Sequence, residues 1–209
     1  MSTAQPLPSR PDSPPSGRGI GVLLLAAGLV GLAVSGELAI EKLRLLENPL
    51  YVPPCSLGES VDCGTIMTSD QAEALFGIPN PFLGLAGFGG LLTAGLALVG
   101  GARPGRSFWI ALQLGLTFAV LFVHWLIFQA LYRIEAVCPF CMAMWAVTIP
   151  AFAYVTLRNL EGAASGSSRL ASAARVLRGN HAIVVTTWLL LVAGLVAERF
   201  WAPWGSIFG

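Results

Sequence analysis

The chain carries little charge for its length. Of its 209 residues, 11% are charged, whereas roughly 25% of the residues of a soluble domain are. The formal net charge of +1 leaves no basic surface of the kind that binds nucleic acid, and no nucleic-acid motif is present. Hydrophobic residues make up 55% of the chain. This composition predicts a helical membrane protein.

The sequence also lacks the signatures of a tightly held redox group. It has no Cys-X-X-Cys-His for haem, no flavin fingerprint and no cysteine spacing typical of an iron–sulfur cluster. Only one Cys-X-X-Cys occurs, which disfavours a zinc site built from two such motifs. The sequence therefore does not predict a haem, flavin or iron–sulfur protein.

Five apolar runs are each long enough to cross about 30 Å of hydrocarbon, since a helix needs about 20 residues for this. They cover approximately residues 19–40, 81–101, 108–132, 138–157 and 182–201. No small-residue cleavage pattern follows the first run, so we interpret it as a retained helix and not as a signal peptide. The pattern predicts an all-α polytopic fold with five transmembrane helices.

Short polar segments flank these runs. Residues 1–18 are rich in Pro and Ser, and we expect them to be disordered. Residues 158–181 are predicted to be a cytoplasmic linker, and residues 182–209 to hold the fifth helix with a short outer tail. Because the chain ends soon after the fifth run, no soluble domain is expected after it.

The distribution of positive charge predicts the orientation, because Lys and Arg in short loops favour the cytoplasmic side. Four of the 12 Lys and Arg residues, namely Lys42, Arg44, Arg133 and Arg199, fall on or near one side. The other eight fall on the side of the N-terminus: Arg10, Arg18, Arg103, Arg106, Arg158, Arg169, Arg175 and Arg178. The N-terminus is therefore predicted to be cytoplasmic, and the loop of residues 42–80 to lie outside.

This outer loop is too long to be a simple connection. Proline residues disfavour helix in its first part, and Thr65–Phe76 has the pattern of one short amphipathic helix, ended by Gly77 and Pro79. We expect the loop to form a lid over the outer end of the bundle. In this orientation all four cysteines lie at the outer face, in a compartment where disulfides persist.

The motif Cys138-Pro139-Phe140-Cys141 opens the fourth apolar run. Its cysteines are three residues apart at a helix start, where unpaired N–H groups and the helix dipole favour a thiolate. A Cys-X-X-Cys at such a place exchanges readily with other thiols. A structural disulfide and half of a metal site are the alternatives.

Cys55 and Cys63 are separated by seven residues, so the loop between them can close into a disulfide. Alone, such a pair is more often structural than redox-active. Beside a Cys-X-X-Cys on the same face, it can carry electrons inward from a soluble partner. A lipid-soluble quinone is the expected acceptor, because it needs only an apolar pocket with one or two polar groups.

The ordered set of motifs resembles the vitamin K epoxide reductase (VKOR) family, and its bacterial members most closely. The set comprises Cys55-X7-Cys63, Thr68-Ser69, the segment Gly77–Gly84 that opens the second helix, and the Cys138 motif. The resemblance covers about Gly19–Leu157. It implies a catalytic four-helix bundle around a quinone (ubiquinone or menaquinone), capped by the outer loop, with a fifth helix added. The implied location is a bacterial inner (cell) membrane.

The resemblance also implies a role for each cysteine. Cys141 would face the quinone, Cys138 would exchange with the loop at Cys63, and Cys55 would meet the partner. Since no thioredoxin-like domain follows, that partner would be a separate thioredoxin-fold, DsbA-like protein. The implied activity is a quinone-dependent thiol–disulfide oxidoreductase for disulfide bond formation. DsbB-like reductases have the two cysteine motifs in the reverse order.

Four further residues are predicted to contact the quinone. Asn80 matches a family position that hydrogen-bonds a quinone carbonyl, with a helix-capping role as the alternative. Trp145 stands where human-type members carry Tyr, and its N–H in place of O–H favours quinone reduction over epoxide reduction. His124 is a candidate for quinone contact or proton transfer, with a neutral imidazole hydrogen-bonded to a neighbouring helix as the alternative, and Phe140 is a candidate for contact with the ring. No metal ligand is predicted. A non-enzymatic scaffold or transporter subunit with two structural disulfides is the contrasting hypothesis.

Overall fold

The computed structural model describes residues 17–58, 60–73, 75, 77–163 and 168–201. Within these residues the regular structure is helical, and extended backbone pairs only in two isolated bridges. The helices are α1 (Gly17–Glu47), α2 (Cys63–Thr68), α3 (Asn80–Val99), α4 (Arg106–Gln129), α5 (Pro139–Ala163), α6 (Ser168–Gly179) and α7 (His181–Trp201). A π-helical turn, Ala130–Ile134, extends α4.

Five helices are long and apolar enough to cross a membrane. They are α1, α3, α4 with its π-turn, α5 and α7, one for each apolar run of the sequence. The prediction of a polytopic all-α membrane protein is therefore confirmed. Helices suit this environment because they satisfy their own backbone hydrogen bonds where no water is present.

The helices α1 and α3 approach each other closely along glycine residues. A β-carbon built on Gly28 would lie 2.6 Å from Leu92 Cα, and one built on Gly95 would lie 2.7 Å from Leu25 Cα. Small residues at such points allow backbones to pack without intervening side chains, as membrane helices commonly do. Side chains such as Leu24, Phe88 and Val155 fill the core beside this contact.

The outer loop folds differently from the prediction of one helix over Thr65–Phe76. The helix α2 begins at Cys63, because Asp62 caps it, and it ends at Thr68. Ser69 is extended (ψ 151°) and interrupts the helix, and a separate 3₁₀ turn follows at Asp70–Glu73. Phe76 lies outside the described residues. We call residues 63–73 the lid.

Two predicted segments lie wholly or partly outside the described residues. The disordered N-terminus was expected over residues 1–18, of which only the last two are described, and they begin α1. The expected outer tail, residues 202–209, is not described. The predicted linker of residues 158–181 is largely helical where it is described, since α5 continues to Ala163 and α6 follows. Arg178 of α6 pairs with Glu161 of α5 at 2.5 Å.

We expect Gly95→Ala to destabilise the bundle by about 1–3 kcal/mol, because the added methyl group would force α1 and α3 apart. The thermal unfolding midpoint of the detergent-solubilised protein measures this. Gly87→Ala on the same helix is the matched control, since a β-carbon there meets nothing within 4 Å, and alanine favours helix over glycine. Equal midpoints for the two variants would contradict the proposed contact.

Candidate active site

The four cysteines lie together at one end of the bundle. Cys55 and Cys63 form a disulfide, whereas Cys138 and Cys141 are reduced. The sulfur atoms of Cys63 and Cys138 are 3.0 Å apart, and the two residues are 0% and 1% exposed. A disulfide sulfur is thus in contact with a thiol at a site shielded from water, which is the arrangement that thiol–disulfide exchange requires.

The backbone joins the outer loop to the start of α5. Val61 and Val137 form an isolated parallel bridge, closed by two hydrogen bonds of 3.0 and 3.1 Å, one of them donated by Asp62 N. Val61 precedes Cys63 by two residues, and Val137 directly precedes Cys138. The bridge therefore holds the two cysteines next to each other.

The Asp62 carboxylate organises the loop around the disulfide. It accepts hydrogen bonds from Gly64 N at 2.9 Å, from Thr65 Oγ1 at 2.5 Å and from Ser56 Oγ. Partial burial raises the pKa of Asp62, but the hydrogen bonds from Ser56, Thr65 and Gly64 outweigh that effect, so the pKa lies below its ordinary value. A carboxylate that remains ionised thus fixes the residues on either side of Cys63.

Two side chains of the transmembrane helices fasten the lid. Lys42 of α1 is 7% exposed; its Nζ donates to Met67 O at 2.8 Å and pairs with Glu73 Oε1 at 2.9 Å. Asn80 of α3 donates from Nδ2 to Gln71 O at 2.8 Å. The lid is therefore held from two different helices.

Cys138 directly precedes the membrane-spanning helix α5. The hydrogen bond from the Cys141 thiol is the largest influence on Cys138, and it lowers the pKa. Burial acts in the opposite direction, while the backbone N–H groups of Cys141 and Phe140 add to the lowering. The net pKa lies below the ordinary cysteine value, so the Cys138 thiolate is favoured, as is usual at a helix N-terminus.

An apolar cavity of about 590 Å³ lies among α1, α3, α4, α5 and the lid. Four of the predicted site residues line it, namely Cys138, Cys141, Asn80 and Trp145. Its volume falls within the range of about 300–1,000 Å³ that is typical of small-molecule sites. The reduced motif thus borders a space large enough for an apolar ring.

Asn80 lines this cavity and carries a polar atom without a hydrogen-bond partner. The helix α3 begins at Asn80, and its N-cap is Pro79; Asn80 Oδ1 accepts from no backbone N–H, so the carboxamide does not cap the helix. Its nitrogen bonds Gln71 O, whereas its Oδ1 is buried with no partner. A buried acceptor without a donor is unfavourable, and a ligand hydroxyl or a water would satisfy it.

His124 faces the fifth transmembrane helix. Its Nδ1 lies 2.7 Å from Val120 O, and its Nε2 accepts from Trp188 Nε1 of α7 at 2.9 Å. His124 does not belong to the cavity lining described above. Both ring nitrogens are engaged in a neutral tautomer with the proton on Nδ1, so this placement favours helix packing over contact with a quinone.

Phe140 also lies away from the cavity wall. It packs against the cluster that contains Cys55, Cys63 and Cys138, and it does not belong to the cavity lining. Its side chain therefore supports the packing of the thiols and not a face of the predicted ring site.

Three residues of this site did not emerge from the sequence as functional. Asp62 precedes a helix and is followed by Gly64 and Thr65, a pattern that does indicate an N-cap. Lys42 and Gln71 offered no local signal, because their partners come from other segments of the chain.

The sulfur atoms of Cys55, Cys63 and Cys138 all lie within 4.8 Å of one another. Metal binding would require thiolates, but two of these sulfurs are bonded to each other. The donor set therefore fits disulfide exchange better than metal coordination.

A thiol in contact with a disulfide defines the chemistry of the thiol–disulfide oxidoreductases, and the five apolar helices place this one in a membrane. Residues 22–156 match the vitamin K epoxide reductase family, and this is more than half of the chain. The protein belongs to that family. No curated protein matches the chain.

Members of this family reduce quinones with electrons from thiols. The protein is accordingly a multi-pass membrane enzyme, a quinone-dependent thiol–disulfide oxidoreductase, with a thioredoxin-like partner implied in general terms. Family membership thus favours the enzyme over the scaffold with structural disulfides.

We expect Cys141→Ala to raise the pKa of Cys138, because it removes the thiol hydrogen bond that stabilises the Cys138 thiolate. Ultraviolet thiolate absorbance, recorded against pH with the loop disulfide intact, should rise at higher pH than the first titration of the wild type. Cys141→Ser keeps a hydroxyl donor and should shift the curve less. An unchanged curve in Cys141→Ala would contradict this role of Cys141.

Proposed function

We propose that this enzyme reoxidises a separate DsbA-like thioredoxin-fold protein and delivers the electrons to ubiquinone or menaquinone. The electrons would pass through the Cys55–Cys63 pair and then the Cys138–Cys141 pair. The enzyme would lie in a bacterial inner (cell) membrane, with a cytoplasmic N-terminus and all four cysteines at the outer face. The process served is disulfide bond formation.

The contact between Cys63 and Cys138 is the observation that carries the proposal. The two sulfur atoms are 3.0 Å apart, whereas Cys141 lines the cavity. Cys55 is 8% exposed and Cys63 is 0% exposed, so Cys55 is the more accessible sulfur of the disulfide. This order supports a path from an outer partner to Cys55, and then inward through Cys63, Cys138 and Cys141.

Each exchange conserves electrons. The partner's dithiol attacks Cys55, which leaves the partner oxidised and the loop as two thiols. Cys63, as a thiolate, then attacks Cys138 of an oxidised motif, and Cys141 leaves. Closure of the Cys55–Cys63 disulfide through Cys55 releases Cys138 and completes the transfer. The resulting state has an oxidised loop and a reduced motif, as in this structure.

The cavity residues fit a quinone. The walls are apolar, and the unpartnered Asn80 Oδ1 belongs to one of the lining residues. A bound quinone supplies an acceptor for two electrons and two protons. Cys141 would stand at the wall as the donor thiol, and closure of the Cys138–Cys141 disulfide would release the two electrons. Asn80 Oδ1 would accept a hydrogen bond from a hydroxyl of the reduced ring, and Trp145 would pack against it.

The surface around Cys55 suits a protein partner. Leu50, Val52 and Leu57 are 89%, 70% and 76% exposed, and they lie within five residues of Cys55 along the chain. A thioredoxin-fold protein must bring its reactive sulfur to Cys55, and apolar side chains beside it would hold the two proteins together during exchange.

The wild-type enzyme should reduce ubiquinone or menaquinone when supplied with a reduced DsbA-like protein, followed as loss of quinone absorbance. Cys138→Ala and Cys141→Ala should each abolish turnover, because the motif disulfide can no longer form. Cys55→Ala and Cys63→Ala should lose turnover with the protein partner. They should keep part of the turnover with a small dithiol, because it can reach the Cys138–Cys141 motif directly. If the wild type turns over and either Cys138→Ala or Cys141→Ala does so too, the relay is contradicted.

Asn80→Ala should weaken binding of the reduced quinone about tenfold, seen as a higher inhibition constant for the quinol, since it removes the buried oxygen that accepts from a ring hydroxyl. Because Asn80 also holds the lid through Gln71 O, the rate at which the reduced partner opens the loop disulfide is measured separately. Asn159→Ala is the matched control, because Asn159 bonds Trp109 O and Gln113 and does not line the cavity. An unchanged inhibition constant for the quinol in Asn80→Ala would show that this residue does not recognise the ring.

A further inference from the structure

The fifth transmembrane helix, α7, lies outside the part of the chain that matches the family, residues 22–156. It nevertheless contacts the segment that leads to Cys138. Val196 of α7 belongs to the same buried cluster as Leu131 and Val137, with Val192 and Phe200 packed beside them. Val137 is the residue whose bridge to Val61 holds the loop. The outer half of α7 thus packs against the support of a redox cysteine.

The chain between α4 and Cys138 makes a tight turn at Glu135. Glu135 has φ 60° and ψ 30°, and it is the one non-glycine residue with positive φ among the described residues. This left-handed conformation is unfavourable for a residue with a side chain. The turn redirects the chain after the π-helical end of α4, so that Ala136, Val137 and Cys138 become buried. Its conformation therefore determines where Cys138 lies.

Arg199 of α7 bonds both sides of this turn. Its Nε donates to Leu131 O at 3.1 Å, and its Nη2 pairs with Glu135 Oε1 at 2.5 Å. The Leu131 carbonyl lies in the last helical turn, where carbonyl groups lack partners within the helix. A single guanidinium thus joins the helix end to the residue in the unfavourable conformation.

We propose that Arg199 is a positioning residue for Cys138, and that α7 serves to hold the Glu135 turn in its left-handed conformation. Among the residues that the structure describes, the Arg199 guanidinium hydrogen-bonds Leu131 O and Glu135 and no cysteine, so it acts through the backbone between Glu135 and Cys138. That the placement of Cys138 matters for turnover rests on the proposed function, whereas the effect of Arg199 on that placement does not. Because Arg199 and Glu135 are 39% and 62% exposed as side chains, the effect should be moderate.

The test measures how readily Cys63 and Cys138 join. In the full-length chain with Cys55→Ser and Cys141→Ser, these two thiols alone remain, and diamide oxidises them to a disulfide by taking two electrons and two protons. Non-reducing electrophoresis after alkylation gives the closure rate. Adding Arg199→Gln should slow closure about threefold to tenfold, in keeping with the loss of a partly exposed ion pair and one hydrogen bond.

Arg133→Gln is the matched control, because Arg133 is an exposed arginine of the same π-turn and its loss removes the same charge. It should close at the rate of the parent. Glu135→Gln breaks the ion pair from the other side and should slow closure less than Arg199→Gln, since the bond to Leu131 O remains. Equal rates for Arg199→Gln and Arg133→Gln would overturn the proposal.

A glycine substitution at Glu135 tests whether Arg199 acts by holding the left-handed turn or by general packing of α7. Glycine adopts the left-handed region without strain, so Glu135→Gly added to Arg199→Gln should restore most of the closure rate. If the double variant stays as slow as Arg199→Gln alone, the proposed action through the turn is wrong. A wild-type enzyme that fails to reduce quinone would instead contradict the proposed function, and the closure rates would still decide the role of Arg199.

Discussion

The contact between the Cys63 and Cys138 sulfur atoms is the constraint on which the rest of the structure depends. It joins two residues 75 positions apart in the chain, and neither lies within a long helix that could fix it alone. The Val61–Val137 bridge aligns the backbones, the Asp62 carboxylate shapes the loop, and Lys42 and Asn80 hold the lid from two helices. Each of these interactions helps to keep the Cys63 and Cys138 sulfur atoms in contact.

The membrane explains where these polar interactions are found. Within the apolar interior, the helices satisfy their own backbone groups, and most of the packing is between small and apolar residues. Polar and capping side chains also surround the cysteines, where irregular backbone needs partners. The cavity begins at this boundary, with the thiols at one end and apolar helix faces around the remainder.

Several predictions from the sequence agree with the structure because they rest on local patterns. Length and hydropathy predicted five helices, four of them close to their observed bounds, whereas α1 continues past the predicted end at residue 40 to Glu47, so that Lys42 and Arg44 belong to the helix and not to the loop. The prediction for the lid was less accurate, because the pattern over Thr65–Phe76 could not show that Ser69 would be extended or that Asp62 would start the helix at Cys63. Two of the predicted quinone contacts, His124 and Phe140, do not line the cavity. A residue's depth in a helix is visible in the sequence, but the neighbour it faces is not, and His124 faces Trp188 of α7.

The sequence by itself determined the class of protein, the number of spanning helices and the two cysteine pairs that form the candidate site. Apolar run length, charge distribution and cysteine spacing are properties of short segments, so no tertiary information was needed to interpret them. Tertiary structure alone decided which sulfurs meet, which side chains hold the lid and how α7 bonds the turn before Cys138. Those contacts join segments far apart in the chain, and they form because helix packing brings complementary donors and acceptors together.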